Sequence, residues 1–145
     1  MWVGSDSGFA VYDGANWRVT SQPTSPGGAL TALRQVEIDH VVASGSTSAT
    51  ASFIPDKAIV LGVTGRVTVA ITGATSWSLG VTGSPDRYGS GIGVGFNAFV
   101  EGVTSSPLAY FGASSLLLTS AGADFTGGTV RLAVHYFELS PPRLV

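Results

Sequence analysis

The sequence contains no cysteine and, among its 145 residues, one lysine, Lys57. Without cysteine the chain has no disulfide, no thiolate metal site and no cysteine nucleophile. Lysine and arginine together number seven against nine acidic residues, for a formal net charge of −2. No stretch concentrates basic residues, so we do not expect nucleic acid as a partner.

Charge of either sign is scarce, at 11% of residues against about 25% in a typical soluble domain. Mean hydropathy is +0.36, yet no apolar run approaches the roughly 18 residues that a membrane-spanning helix needs. Membrane insertion is therefore not expected, and the composition also excludes a disordered chain. Because obligate interfaces resemble a domain core in composition, we expect identical copies of the chain to cover part of its surface.

Helical periodicity is nearly absent, and its only candidate is residues 29–35, where Leu30 and Leu33 are three apart. Strand periodicity is clear over residues 59–71, where apolar and polar residues alternate. One face of this strand is predicted to be buried, namely the odd positions Ile59, Leu61, Val63, Gly65, Val67, Val69 and Ile71. Gly65 at its centre indicates a bulge or the close approach of a neighbour.

Further alternating stretches predict additional strands: Val36, Ile38, His40 and Val42; Ala49, Ala51 and Phe53; Trp77, Leu79 and Val81; and Val130, Leu132, Val134 and Tyr136. The parity of Trp77 matches that of its apolar neighbours, so it is predicted in the core rather than against a ligand. Turn signals at short intervals are typical of all-β folds. The fold is therefore predicted to be all-β, an antiparallel β-sandwich of the jelly-roll kind.

The N-terminal residues differ from the rest. Residues 9–17, FAVYDGANW, predict a small β-hairpin around Asp13 and Gly14, because Asp-Gly suits a tight turn. Residues 21–28, SQPTSPGG, have the composition of a linker. We predict a hairpin over residues 1–20, a linker over 21–29 and the sandwich over 30–145. A single hairpin is not stable alone, so this one is expected to attach the chain to other proteins.

The stretch SPDRYGSGIGVGF, residues 84–96, has glycine at every second position from 89 to 95. A dinucleotide site needs G-x-G-x-x-G before a helix, and a P-loop needs Gly-Lys followed by Ser or Thr, so neither is predicted. The opposite parity carries Ile92, Val94, Phe96, Ala98 and Val100. This pattern predicts a strand with one bare face, which another strand, a subunit or a ligand can approach closely.

Four residues in and beside this stretch are candidate glycan contacts: Asp86, Arg87, Tyr88 and Asn97. Their polar groups can hydrogen-bond sugar hydroxyls, and the ring can cover an apolar sugar face. In the alternative interpretation Asp86 and Arg87 pair or cap a turn, and Tyr88 begins a packed strand. The two histidines, His40 and His135, lack clustered acidic neighbours, and His40 is predicted at a hydrogen-bonded core position. No metal site, cofactor or catalytic residue is predicted.

Parts of the sequence resemble phage proteins. Residues 9–17 resemble an element that is common in phage fibres. Residues 54–68, 71–75, 86–93 and 125–136, with Pro141 and Pro142, resemble a domain family of unknown function. That family occurs in phages, prophages and gene transfer agents of alphaproteobacteria. The resemblance implies a virion surface protein, either a tail fibre or a head spike that grips host capsule. Because such modules are commonly symmetric trimers, a homotrimer is expected.

The expected function is attachment to a host cell through surface polysaccharide, with other virion proteins bound through the N-terminal hairpin. Each copy would bind weakly, and several copies on one particle would act through effective concentration. The absence of cysteine suits synthesis in the reducing bacterial cytoplasm and release by lysis. The alternative is a purely structural virion component: a capsid decoration, collar or baseplate protein. An enzyme such as a depolymerase would need convergent acidic residues and is not expected.

Overall fold

The computed structural model describes residues 2–3, 8–12, 17–20, 29–142 and 144. The strands of this part of the chain are β1 (Trp2–Val3), β2 (Gly8–Tyr12), β3 (Trp17–Thr20), β4 (Leu30–Val41), β5 (Thr47–Ala49), β6 (Ile59–Thr72), β7 (Ser76–Val81), β8 (Ser84–Ile92), β9 (Phe99–Ala109), β10 (Leu117–Ala121) and β11 (Gly127–Ser140). Two compact units divide the chain: Met1–Ala32 with Glu138–Val145, and Leu33–Phe137.

The first unit contains a three-stranded sheet in the order β1-β2-β3. Strands β2 and β3 pair antiparallel, with Tyr12 opposite Trp17, which confirms the strand pairing of the predicted hairpin. Strand β1, which pairs with β2, was not predicted. The Asp13-Gly14 turn and the linker residues 21–28 lie outside the described residues, so the predicted division into 1–20, 21–29 and 30–145 stays a prediction.

The second unit, in which every residue is described, is a sandwich of two four-stranded sheets, ordered β5-β10-β7-β8 and β4-β11-β6-β9. The pairing is nested. The first of these eight strands pairs with the last, the second with the seventh, the third with the sixth and the fourth with the fifth. A long hairpin rolled into two sheets gives this order, which is that of a jelly roll. The predicted fold class is confirmed.

The connections of the second unit gather at two opposite ends. At one end, which we call the entry end, segments 50–58, 82–83 and 110–116 meet, and Phe53 N donates to Ser114 O. At the other, the remote end, segments 42–46, 73–75, 93–98 and 122–126 meet, and Gly45 bridges to Phe125. Strand β4 runs toward the remote end and β11 returns from it, so the chain enters and leaves the sandwich at the entry end.

The core lies between the two sheets. Its largest fully buried side chains are Trp77, Phe125, Ile54, Leu79, Leu116, Leu118 and Leu132. The indole Nε1 of Trp77 donates to Gly93 O at 3.0 Å, so the buried ring leaves no unsatisfied donor. The predicted inward faces of β7 and β11 are confirmed, because their alternate residues are all buried.

Strand β6 has the predicted extent but not the predicted single buried parity. Its buried apolar residues are Val60, Val63, Val67 and Ile71, whereas Val69 is 56% exposed. The pairing of β6 with β11 shifts register between Thr129 and Val130 and between His135 and Tyr136. Each shift inserts an extra β6 residue, and a bulge of this kind twists the strand and turns its side chains. Gly65 is closely approached, as predicted: a Cβ there would lie 2.8 Å from the Leu132 side chain.

Three local predictions are wrong. The candidate helix over 29–35 is instead the beginning of β4. The predicted strand through the glycine stretch ends at Ile92, because residues 93–98 form a turn before β9. Ala49 and Ala51 were predicted to face the core, but Ser48 and Thr50 are the buried residues of this segment. Hydroxyl side chains fill these inward positions because each finds a hydrogen-bond partner.

Gly102 in β9 is a position where no side chain fits. An added Cβ would lie 2.1 Å from Tyr88 O and 2.8 Å from Val63 O, and backbone atoms cannot swing away. We expect Gly102→Ala to lower the free energy of unfolding by about 1–3 kcal/mol or more, measured by chemical denaturation. Gly95→Ala, where nothing lies within 4 Å of the added atom, is the matched control. Equal stability of the two variants would contradict this packing.

Candidate functional sites at the two ends of the sandwich

The structure does not bring the four predicted contact residues together. Asp86, Arg87 and Tyr88 lie near the start of β8, whereas Asn97 lies in the turn that follows its end. Tyr88 O lies against Gly102, which pairs with Val63 of β6, whereas Asn97 N donates to Val67 O. Val63 and Val67 are four positions apart, which corresponds to about 13 Å at the usual strand rise. The predicted residues therefore occupy two places, one toward each end of the sandwich. That they contact a glycan stays a prediction.

Tyr88 is a core residue. Its side chain is 2% exposed, and its hydroxyl is 2.8 Å from the hydroxyl of Tyr110. Burial, reinforced by this hydrogen bond, raises the pKa of Tyr88 well above its usual range, so the phenol stays neutral. The ring packs between the sheets and offers no face to a sugar in this conformation. This is the packed strand of the alternative interpretation.

Arg87 connects the neighbouring edges of the two sheets. Its Nη2 donates to Ser106 O at 2.5 Å, and its guanidinium lies 6.0 Å from the centre of the Tyr88 ring. Ser106 lies in a part of β9 that loops out of the sheet. Val103 and Leu108 are five positions apart on β9, but their partners on β6 are only two positions apart. Arg87 thus holds this protrusion, rather than pairing with Asp86, whose side chain is exposed.

Asn97 occupies a tight turn at the remote end. Ala98 N donates to Gly95 O at 3.0 Å and closes the turn, and Asn97 has a φ of 69°. A positive φ at the third turn position favours glycine or asparagine. The amide oxygen Oδ1 of Asn97 accepts from Arg66 Nη1 at 2.5 Å, so the turn is joined to the neighbouring strand β6.

Two exposed aromatic rings flank this pair. The Arg66 guanidinium lies 5.5 Å from the centre of the Phe99 ring, a distance typical of cation–π contact. Phe99 is 59% exposed, and Phe96, beside Asn97 in the turn, is 74% exposed. We call Arg66, Phe96, Asn97 and Phe99 the remote-end cluster. Arg66, Phe96 and Phe99 were not predicted as contact residues. The sequence signal that could have indicated the turn is the asparagine that follows Gly95 and Phe96.

Arg66 differs from the arginine beside it. Arg131 lies directly opposite Arg66 on β11 and donates to both Asp39 oxygens at 2.7 and 2.8 Å, with Glu37 at 3.6 Å. The Arg131 hydrogen bond lowers the pKa of Asp39. Within the described residues, no carboxylate lies within 4.0 Å of Arg66. Arg66 therefore presents an exposed guanidinium whose charge no described carboxylate neutralises.

The two histidines make structural hydrogen bonds. His40 Nε2 lies 2.8 Å from Ser48 Oγ, which confirms its predicted hydrogen-bonded position, and burial lowers its pKa. His135 Nε2 lies 3.0 Å from Thr64 Oγ1. The described residues include no group of three or more histidine, cysteine or acidic side chains placed to hold a metal ion. Nor does any described helix have the length and hydropathy to cross a membrane.

Comparison with solved structures finds chains of similar fold. No family model matches the sequence, and no curated protein matches it. A chain in the solved structure described as the cyanophage Pam1 capsid asymmetric unit aligns with a TM-score of 0.50 and 24% sequence identity. The alignment covers 87% of this chain and 96% of that one. At this identity the similarity is one of fold.

The places of Arg87 and Tyr88 predict very different effects of substitution. Tyr88→Ala removes a buried ring and should lower the free energy of unfolding by about 3–5 kcal/mol. Arg87→Ala removes one hydrogen bond to a backbone carbonyl and should cost about 1 kcal/mol. Chemical denaturation of the two single variants measures both values. A Tyr88→Ala variant as stable as the parent chain would contradict the burial of this ring.

Proposed function

We propose that this protein is a structural component of a phage-type virion, in which the jelly roll is a module for protein–protein assembly. The observation that carries the proposal is the similarity in fold, along nearly the whole of both chains, to a chain of the cyanophage Pam1 capsid asymmetric unit. Double-sheet jelly rolls are common in viral capsid proteins. The resemblance of the sequence to phage fibre and spike proteins supports the same proposal.

The composition of the surface supports assembly into a symmetric homo-oligomer, which we propose is a trimer. Charged residues make up 11% of the chain, and its exposed large apolar side chains include Leu33, Val103, Leu108 and Phe111. Exposed apolar surface of this kind is typical of protein interaction sites. In this proposal the N-terminal hairpin attaches the oligomer to other virion proteins, and the oligomer lies on the particle surface.

A structural virion protein should remain with the particle through purification. We expect the chain in gradient-purified particles, in a copy number divisible by three, as measured by quantitative mass spectrometry against the major capsid protein. A nonstructural protein packaged by chance would fall to trace amounts after a high-salt wash. Recovery only in the soluble lysate would overturn the proposal.

Host attachment through polysaccharide is the second proposed function, and the remote-end cluster favours it. An exposed guanidinium can bind a sugar carboxylate with two parallel hydrogen bonds. The rings of Phe96 and Phe99 can cover apolar sugar faces, and the amide nitrogen of Asn97 remains a donor because its oxygen is used by Arg66. The cluster lies beside the middle of β6, where Arg66 pairs with Phe99 and Asn97 N donates to Val67 O. Its side chains are exposed, which suits contact with a host polysaccharide. In this proposal the chain binds and performs no catalysis.

The cluster predicts a preference for acidic polysaccharide. Arg66→Ala should weaken binding of the full chain to alginate, a polymer of uronic acids, by roughly tenfold or more. Phe96→Ala with Phe99→Ala should weaken binding to a similar extent. Binding is measured by biolayer interferometry, with neutral dextran as the comparison polymer.

Arg131→Ala is the matched control, because this neighbouring arginine is already paired with Asp39 and should change alginate binding little. Binding that does not distinguish alginate from dextran, or that falls equally in both arginine variants, would reject the cluster as the site. A fall in polysaccharide viscosity during the assay would indicate a depolymerase instead of a binding protein.

A further inference from the structure

A groove opens at the entry end of the sandwich. It has a volume of about 360 Å³ and is lined by Ser52, Val81, Thr82, Leu108, Tyr110, Ala113, Ser114 and Ser115. None of these lining side chains carries a charge. The lining exposes hydroxyl groups and apolar surface in similar measure and has no charged side chain, so the groove suits a neutral side chain better than an ion.

An exposed phenylalanine stands at the rim of this groove. Phe111 is 89% exposed and lies between lining residues in the segment 110–116. Its backbone is held on both sides: Tyr110 N donates to Ala58 O at 3.0 Å, and Gly112 N donates to Asp56 Oδ1 at 2.6 Å. The ring is therefore presented to solvent by a hydrogen-bonded segment, and it does not fill the groove of its own chain.

We propose that Phe111 of one copy inserts into the groove of a second copy of this chain. A cavity of about 150 Å³ is enough to hold benzene, and the groove is larger than that. Burying a phenylalanine removes about 150–250 Å² of surface from water. This is less than the roughly 800 Å² that each partner of a stable complex buries. Phe111 is therefore the anchor of a wider interface, which the exposed Leu108 and Val103 on β9 extend.

The occupant is a second copy because the projection and the groove are parts of one segment. Tyr110, Ala113 and Ser114 line the groove and Phe111 stands between them, so every copy offers both halves of the contact. When each copy inserts Phe111 into one neighbour and receives the Phe111 of another, the copies form a closed ring if the rotation between them allows it. This inference rests on the homo-oligomer of the proposed function, and it locates the contact at the entry end.

The absence of cysteine allows a direct test by cross-linking. A tagged full-length Ala113→Cys chain, which keeps Phe111, is mixed with an untagged Ser52→Cys chain under mild oxidation. We expect a disulfide-linked species of mixed composition on a non-reducing gel. Val41→Cys, at an exposed position toward the remote end, replaces Ser52→Cys in the control mixture and should give no mixed species. Equal cross-linking in both mixtures, or none in either, would overturn the proposal.

A second measurement uses light scattering of single variants. Phe111→Ser should weaken self-association by at least roughly thirtyfold, as expected for an interface anchor, with an unchanged unfolding curve. Phe96→Ser removes another exposed aromatic, which lies in the turn at residues 95–98, and should leave the oligomer intact. If Phe111→Ser does not change the oligomer, or if the parent chain is monomeric, this inference is overturned. Co-purification of that chain with particles would still support the proposed virion role, so the two failures are distinguishable.

Discussion

Along one side of the sandwich, the backbone of β8 lies directly against the backbone of β9, and this contact closes the two sheets on each other. It exists because Gly102 has no side chain, which leaves room for Tyr88 O. The hydrogen bond between the Tyr88 and Tyr110 hydroxyls and the one that Arg87 donates to Ser106 O lie beside it. The core, the order of the strands and the exposed protrusion of β9 all depend on this closure. Residues that look available for a ligand in the sequence are used here to hold the edge.

Regular strands could be predicted from the sequence, and irregular ones could not. Alternation in β7 and β11 identifies their inward residues because these positions face the opposite sheet without interruption. In β6 the same alternation wrongly predicts that Val69 is buried. The bulges that turn its side chain outward arise from the pairing of two strands, and the sequence of β6 alone does not show them. The glycines after Tyr88 alternate with the period of a strand, so they do not show where β8 ends. The turn at residues 95–98 depends on Asn97 adopting a positive φ. The spacing of Leu30 and Leu33 made residues 29–35 a candidate helix, whereas the structure pairs this segment with β11 as a strand.

The candidate site was harder to predict than the fold, because its members are distant in sequence. Arg66 and Asn97 are separated by 31 positions, and only the pairing of β6 with β9 makes them neighbours. Asn97 was predicted as a hydrogen-bonding residue beside the glycine stretch, but its partner Arg66 could not be identified without that pairing. The difference between Arg66 and Arg131 is also invisible in sequence, since it depends on Asp39 lying on the adjacent strand. Tyr88 was a candidate for an exposed ring because its burial results from the closure of β8 on β9, which the sequence alone does not show.

The course of β4 and β11 has a mechanical consequence. These neighbouring strands both connect to the rest of the chain at the entry end, and both extend to the remote end. Tension applied between the two ends would act parallel to the strands, so many backbone hydrogen bonds would resist it together in shear. Tension applied only at the entry end would instead peel β4 from the sheet, one bond after another, because β4 is an outer strand with a single partner. The jelly roll therefore resists a pull between its two ends more strongly than a pull at the entry end alone.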